Sequence, residues 1–261
     1  MIERLRHAWS LAWPLARRDL QARYRGSVAG LAWALIAPLA MVLIYALVFQ
    51  GIFKARWTGG GEGGADYALR LFAGLIVFNA LSETATRATR LIQDNANLVK
   101  RVVFPLGTLV LALVMQVAVH LLVQFAVLGL ALSVAGEGVR STWLLLPLAV
   151  AWVLLLQLAL GLALAALGCY VRDLQHLVPL VMTGVLFLSP VFYPRASAPE
   201  ALQWLLQLNP LTAPIELVRA AWFGDGFDWL GALAQCLVLL VFLSGSAWLF
   251  ERLRPGFADL V

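Results

Sequence analysis

Apolar residues run along this chain in long stretches broken by short polar ones, and five charge-free windows stand out: Gly26 to Phe53, Val102 to Gly136, Ser141 to Val171, Leu177 to Pro194 and Trp229 to Phe250. Crossing ~30 Å of hydrocarbon takes about 20 residues of helix, because lipid offers the backbone no hydrogen-bond partners. Each window reaches that length, the fourth only just. A sixth run, Leu71 to Ser82, offers 12 charge-free residues, about 18 Å of helix and too short alone. Extended back to Tyr67 and forward through Glu83, Thr84, Thr86, Arg87 and Arg90 it would cross, with Glu83 and Arg87 at the i,i+4 spacing that pairs charges on one helix face.

Cytoplasmic loops carry an excess of Lys and Arg, which decides whether the sixth run spans. With six spans, 13 basic residues fall on the N-terminal side and 6 on the other; with five spans the split is 9 against 10 and the bias vanishes. The expected fold is therefore all-α and integral to the membrane, with six transmembrane helices and both termini cytoplasmic. The spans are expected at about 26–53, 67–90, 104–135, 142–170, 177–194 and 229–250, in one transmembrane domain covering 26–261.

Residues 1–25 form a separate amphipathic segment. Leu5, Trp9, Ala12, Trp13, Ala16, Leu20 and Tyr24 share one arc of a helical wheel, with Arg6, His7, Ser10, Arg17, Arg18, Gln21 and Arg25 off it. Such a helix suits the membrane interface, with rings in the hydrocarbon and cations among phosphates, and Pro14 is expected to start or kink it. The arginines read equally as an orientation signal and as a substrate-handling collar.

Before the last span the pattern breaks. SPVFYP (Ser189 to Pro194) ends a window, and two short apolar segments follow, Ala201 to Asn209 and Leu211 to Phe223. Neither can cross, so a pair of re-entrant or interfacial helices at about 199–224 is expected on the outer side, with Trp204, Trp222 and Trp229 in an aromatic belt. Inside the Val102 to Gly136 window Gln116, His120 and Gln124 repeat every fourth residue. A polar stripe in a span should face protein or water, which leaves interhelical hydrogen bonding and a channel lining both open.

Composition agrees with the pattern: 62% apolar residues, 13% charged, net charge +5 and mean hydropathy +0.87 exceed what a soluble core needs. The apolar spans carry no carboxylate, the usual mark of a proton-driven carrier. Neither lysine, Lys54 or Lys100, sits in a phosphate-binding loop, so any ATP hydrolysis belongs to another subunit; the glycine-rich 59–64 stretch reads as a flexible connection. Cys169 and Cys236 lie in apolar segments without ligand partners, so no metal or cofactor is expected on this chain. No cluster of Asp, Glu, His or Ser converges as an enzyme would need, and neither a cleaved leader nor twin-arginine export fits the N-terminus.

Six blocks together carry a family resemblance: RDLQARYRGSVAGLAWALIAPL (Arg18 to Leu39), NANLVKRVVFP (Asn95 to Pro105), YVRDLQHLVP (Tyr170 to Pro179), SPVFYP, LNPLTAPIELVRAAWFG (Leu208 to Gly224) and FADLV (Phe257 to Val261). In this order they resemble the membrane subunit of ABC type 2 polysaccharide exporters, the O-antigen export type in particular. The resemblance implies a homodimer bound to two copies of a cytoplasmic ATPase that holds ATP and Mg, in the bacterial inner membrane. It implies a coupling helix at Gln93 to Arg101 and a second ATPase contact at Arg172 to His176, so that Asp94, Asn95, Asn97, Lys100, Arg101, Arg172 and Asp173 would meet the ATPase. The substrate would be an undecaprenyl-diphosphate-linked polysaccharide. Its head group is expected at Arg17, Arg18, Arg23 and Arg25, since guanidinium forks grip phosphate, and Trp33, Tyr45, Gln116, His120, Gln124, Phe192 and Tyr193 are candidate channel-lining residues. A capsular polysaccharide or teichoic acid exporter, or an ABC type 2 exporter of drugs or small lipids, is the alternative.

Overall fold

The computed structural model describes residues 2–52, 57, 64–100, 104–136, 138 and 140–261. Regular structure among them is entirely helical. Helix α1 (Ile2–Tyr24) leads into α2 (Trp33–Tyr45), which continues as a π-helical stretch, Ala46–Ile52. Helix α3 (Gly64–Ala88) is followed by two single turns, α4 (Leu91–Asp94) and α5 (Ala96–Val99), then by α6 (Gly107–Val134), α7 (Leu146–Tyr170) and α8 (Leu174–Phe187). Helices α9 (Glu200–Leu208) and α10 (Thr212–Phe223) precede α11 (Trp229–Leu253) and the closing turn α12 (Phe257–Leu260).

Among the described residues four helical stretches are long and apolar enough to cross a membrane: Asp66–Ala88, Gly107–Val134, Ser141–Tyr170 and Trp229–Leu260. The first and fifth expected spans are shorter apolar helices, Trp33–Phe49 and Leu174–Phe187. Prolines and glycines explain the shortening. Gly26 and Gly30 turn the chain at positive φ ahead of α2, and Pro190 and Pro194 hold SPVFYP in a turn beyond α8. Pro14 does not start α1, which runs through it without a break. Lys54, Arg56, Arg101 and most of the glycine-rich 59–64 stretch lie outside the described residues.

The least apolar of the four long stretches sits at the centre. Helix α3 packs on α6, α7, α8 and α10, and 83% of its span is buried, against 17% for α11, which leans chiefly on α7. Hydropathy and burial run opposite here because α3's polar side chains are met by protein, whereas α11's apolar ones stand where lipid would be. Close backbone approach knits the centre. A Cβ at Gly168 would stand 2.8 Å from Thr89 Cα, so α7 meets the end of α3 only through a glycine, and Gln93 Nε2 donates to the Gly168 carbonyl at 3.3 Å.

The bundle has two distinct ends. One gathers α4, α5, the Val171–Asp173 turn and α12, where buried Phe257 packs edge-on against Tyr170 and Phe250, and Tyr170 Oη donates to the Leu253 carbonyl at 2.9 Å. The other gathers the start of α3, the Ser141–Leu145 turn and α10, which ends in a left-handed glycine, Gly224 (φ 74°). Trp222, expected in an aromatic belt, is buried there between Phe125 and Trp143, while Trp204 and Trp229 are exposed.

Candidate functional site

Helix α1 is more than a surface strip. Ala12 and Ala16 are fully buried against Ala112 and Met115 of α6, and the three alanines let the two backbones approach. The helices advance in the same direction, so Arg23 arrives beside His120, about 20 Å along α6 at 1.5 Å per residue. Trp9 and Trp13, on the same apolar arc, point away from the bundle and remain exposed.

Arg23 ends in a charged network at this meeting point. Its Nη1 lies 2.6 Å from Glu83 Oε1 and 3.3 Å from His120 Nδ1. Glu83 also pairs with Arg87 at 3.1 Å, and Arg87 Nη2 donates to Gln116 Oε1 at 2.7 Å. One carboxylate thus stands between two guanidinium groups, a local excess of one positive charge. The network borders an open cleft of about 780 Å³ whose wall includes Asp19, Asn79, Ser82, Thr86 and the buried Gln116. Asn79, Ser82 and Thr86 are neutral donors around the two arginines and suit an anion with several oxygens, while Asp19 on the same wall is paired with Arg18.

The structure sorts the expected collar. Arg23 enters the cleft; Arg17 and Arg18 stand exposed on the other side of α1 beside Trp13 and Gln21, Arg18 paired with Asp19 at 3.0 Å, and Arg25 is exposed beyond the helix end. Of the polar stripe, Gln116 and His120 both meet arginines from other helices, and Gln124 is half-buried. Arg87 and Glu83 take places in the site that sequence reasoning had assigned to a helix-surface pair; their i,i+4 spacing beside a polar stripe was the available signal.

The other candidates lie elsewhere. Tyr45, Phe49, Tyr67 and Trp57 form a chain of tilted rings 5.3 to 6.5 Å apart, and Tyr67 Oη donates to the Phe192 carbonyl at 2.8 Å. Phe192 stacks on Phe187 at 5.5 Å, Tyr193 Oη donates to the Phe187 carbonyl, and Trp33 is exposed. At the α5 end, Asp94, Asn97, Lys100, Arg172 and Asp173 are exposed. Where one helix was expected over Gln93 to Arg101, the described residues form two turns, α4 and α5, broken at Asn95, whose φ of −114° and ψ of 29° leave the helix while its side-chain Nδ2 donates to the Leu91 carbonyl. Buried Ile92 and Val99 anchor the two turns. Arg101 lies outside the described residues.

A second charged cluster at the α10 end was missed by the sequence reading. Buried Arg70 pairs with Asp66 at 2.8 Å and with Asp225, its guanidinium lying over the Phe223 ring. Buried Arg219 donates to three carbonyls, those of Arg70, Pro190 and Val191, at 3.2, 2.5 and 2.7 Å, with the Trp57 ring centre 4.5 Å from its Cζ. Asn209 completes the hold on the same turn, donating to the Leu188 carbonyl and to Ser189 Oγ. This cluster ties α3, α10 and the SPVFYP turn together.

Comparison with known proteins bears on what such a bundle does. Residues 11–223 match the model of the ABC-2 type transporter family. The chain is similar to the O-antigen export system permease protein RfbA of Klebsiella pneumoniae, 24% identical over 254 residues, covering 95% of this chain and 93% of that protein. It is similar also to the protein of the same name from Myxococcus xanthus, 28% identical over 254 residues, covering 95% and 94%.

Proposed function

This chain belongs to the ABC-2 type transporter family, and on that premise we propose that it is the membrane subunit of an ATP-driven exporter moving an undecaprenyl-diphosphate-linked polysaccharide across the bacterial inner membrane. O-antigen is the first candidate, because relatives matching nearly the whole chain are named for its export. The working unit in this reading is a homodimer of six-span subunits with two ATPase copies, both termini cytoplasmic. The short apolar helices Trp33–Phe49 and Leu174–Phe187 serve as the first and fifth spans, and α9 and α10 as the re-entrant pair.

The observation that carries this reading is the cleft between α1, α3 and α6. A lipid diphosphate reaching Arg23 and Arg87 replaces Glu83 as their partner and takes further hydrogen bonds from Asn79, Ser82 and Gln116. Arg17 and Arg18, exposed on α1, and Arg25, exposed just beyond it, raise the local concentration of the anion without closing on it. Turns α4 and α5, with Arg172 and Asp173 beside them, receive the stroke of the ATPase, and the ring chain from Tyr45 to Tyr67 offers flat faces to sugars.

The test compares paired replacements in the assembled complex. Arg23→Ala with Arg87→Ala is expected to abolish stimulation of ATP hydrolysis by lipid-linked glycan and to strip polysaccharide from the cell surface. Arg17→Ala with Arg18→Ala is expected to weaken apparent affinity while leaving the maximal rate. Normal export from a well-inserted Arg23/Arg87 double variant refutes the head-group role.

A further inference from the structure

A groove of about 780 Å³ lies between α7, α9, α10 and α11, away from the charged cleft. Its floor is hydrocarbon: Trp152, Leu156 and Leu239 are buried there, and Leu208, Leu230 and Val238 stand exposed at its rim. In its wall sit three ionic groups, Arg195, Glu216 and Asp228, which also border the smaller pocket beneath the Arg70 and Arg219 cluster.

The spacing of those three groups is informative. Arg195 Nη1 is 3.7 Å from Glu216 Oε2 and 3.5 Å from Asp228 Oδ2. A closed guanidinium–carboxylate bond measures about 2.7–2.9 Å, and the same protein makes one at 2.8 Å between Arg70 and Asp66. The trio is therefore open, with the guanidinium short of both carboxylates. With the adjoining Arg70, Arg219, Asp66 and Asp225 counted, three cations meet four anions, a surplus of one negative charge at the mouth of an apolar trough. Asp228 Oδ1 is held by the Gly231 amide at 3.0 Å at the start of α11, which fixes the carboxylate in place.

We propose that this groove binds an aminophospholipid of the surrounding bilayer, one acyl chain lying along Leu156 and Leu239, the phosphate on Arg195 and the ammonium between Glu216 and Asp228. Each part of the lipid meets its complement. A primary ammonium offers three donors to two carboxylates, and a phosphate fits the guanidinium fork. An anionic lipid such as phosphatidylglycerol brings a phosphate into a site already negative, and free phosphate has nothing to place in the trough. Phe227, in the groove wall beside Asp228, packs edge-on against the exposed ring of Trp229, an aromatic of the kind bilayer interfaces favour. The inference needs only a membrane-embedded bundle and stands apart from what the protein exports.

Native mass spectrometry of the full-length protein, released from nanodiscs of equal phosphatidylethanolamine and phosphatidylglycerol, tests it. The parent protein is expected to retain phosphatidylethanolamine over phosphatidylglycerol by about tenfold, the scale of one charge-assisted hydrogen bond. Glu216→Gln with Asp228→Asn should bring that ratio to about one. Ala234→Trp, which fills the groove, should lose the retained lipid of both kinds at an unchanged melting temperature. Equal retention of the two lipids by the parent, or full retention by a folded Ala234→Trp variant, overturns the proposal. So does a groove found closed by a second copy of the chain, read as disulfide cross-linking through Val238→Cys with no lipid retained.

Discussion

Replacing Arg219 by leucine tests whether one buried guanidinium holds the SPVFYP turn against α3. The side chain supplies three donated bonds, at 3.2, 2.5 and 2.7 Å. Hydrogen bonds to charged groups contribute about 1.5–3 kcal/mol each, so three amount to roughly 4.5–9 kcal/mol before the guanidinium's own desolvation is counted. Desolvation costs several kcal/mol and the leucine escapes it, which leaves a net loss of about 3 kcal/mol, at the low end of what breaking a buried ionic contact costs. That corresponds to an opening equilibrium shifted about a hundredfold. Amide hydrogen exchange in nanodiscs reads it locally: peptides covering Phe187 to Tyr193 and the first turns of α3 should exchange about a hundredfold faster, with the middle of α7 unchanged. Arg219→Lys should fall between, because one ammonium cannot span three carbonyls in different directions. Exchange within about twofold of the parent would show that the Tyr67 bond to Phe192 and the Asn209 bonds hold the turn alone, and the argument from Arg219 would be wrong.

Other outcomes follow from particular contacts. Gly256→Ala places a Cβ on the Tyr170 hydroxyl, with Tyr170 Cζ at 3.2 Å, so the variant should expose residues 254–261 to protease; adding Tyr170→Phe removes the obstructing oxygen and should restore resistance, a non-additive pair. Gly168→Ala drives a Cβ into the backbone of Thr89 and should abolish the monodisperse peak in size-exclusion chromatography. Gln116→Leu removes one of the two acceptors of half-buried Arg87, leaving Glu83, and should lower the melting midpoint by about 2–4 °C for a loss of about 1 kcal/mol, whereas Gln116→Glu should keep it.

The helical class and the long third, fourth and sixth spans, at about 104–135, 142–170 and 229–250, were legible from run length alone, since lipid permits so few solutions. Span ends were less so, because Pro190 and Pro194 set where α8 can stop and Pro105 precedes α6, and local chain geometry outranked hydropathy there. The charged networks were least legible. Arg23 to Glu83 and Arg70 to Asp225 join residues 60 and 155 positions apart, and no periodicity encodes such a meeting. The polar stripe at Gln116 and His120 did announce that something polar would face it; that the partners are arginines from α3 and α1 required the packing of Ala12 and Ala16 on α6.

The one-sided seating of α11 sets how much change each of its positions tolerates. Its buried residues Ala232, Leu239, Ser246 and Phe250 follow one another at steps of seven, seven and four, a single seam turned to the bundle. Leu233, Leu237, Val241 and Trp248 face outward and answer only to solubility in hydrocarbon. A saturation scan of this helix should therefore beat with the helical period: any apolar residue accepted on the outward positions, charge rejected everywhere at mid-depth, and volume itself policed only along the seam.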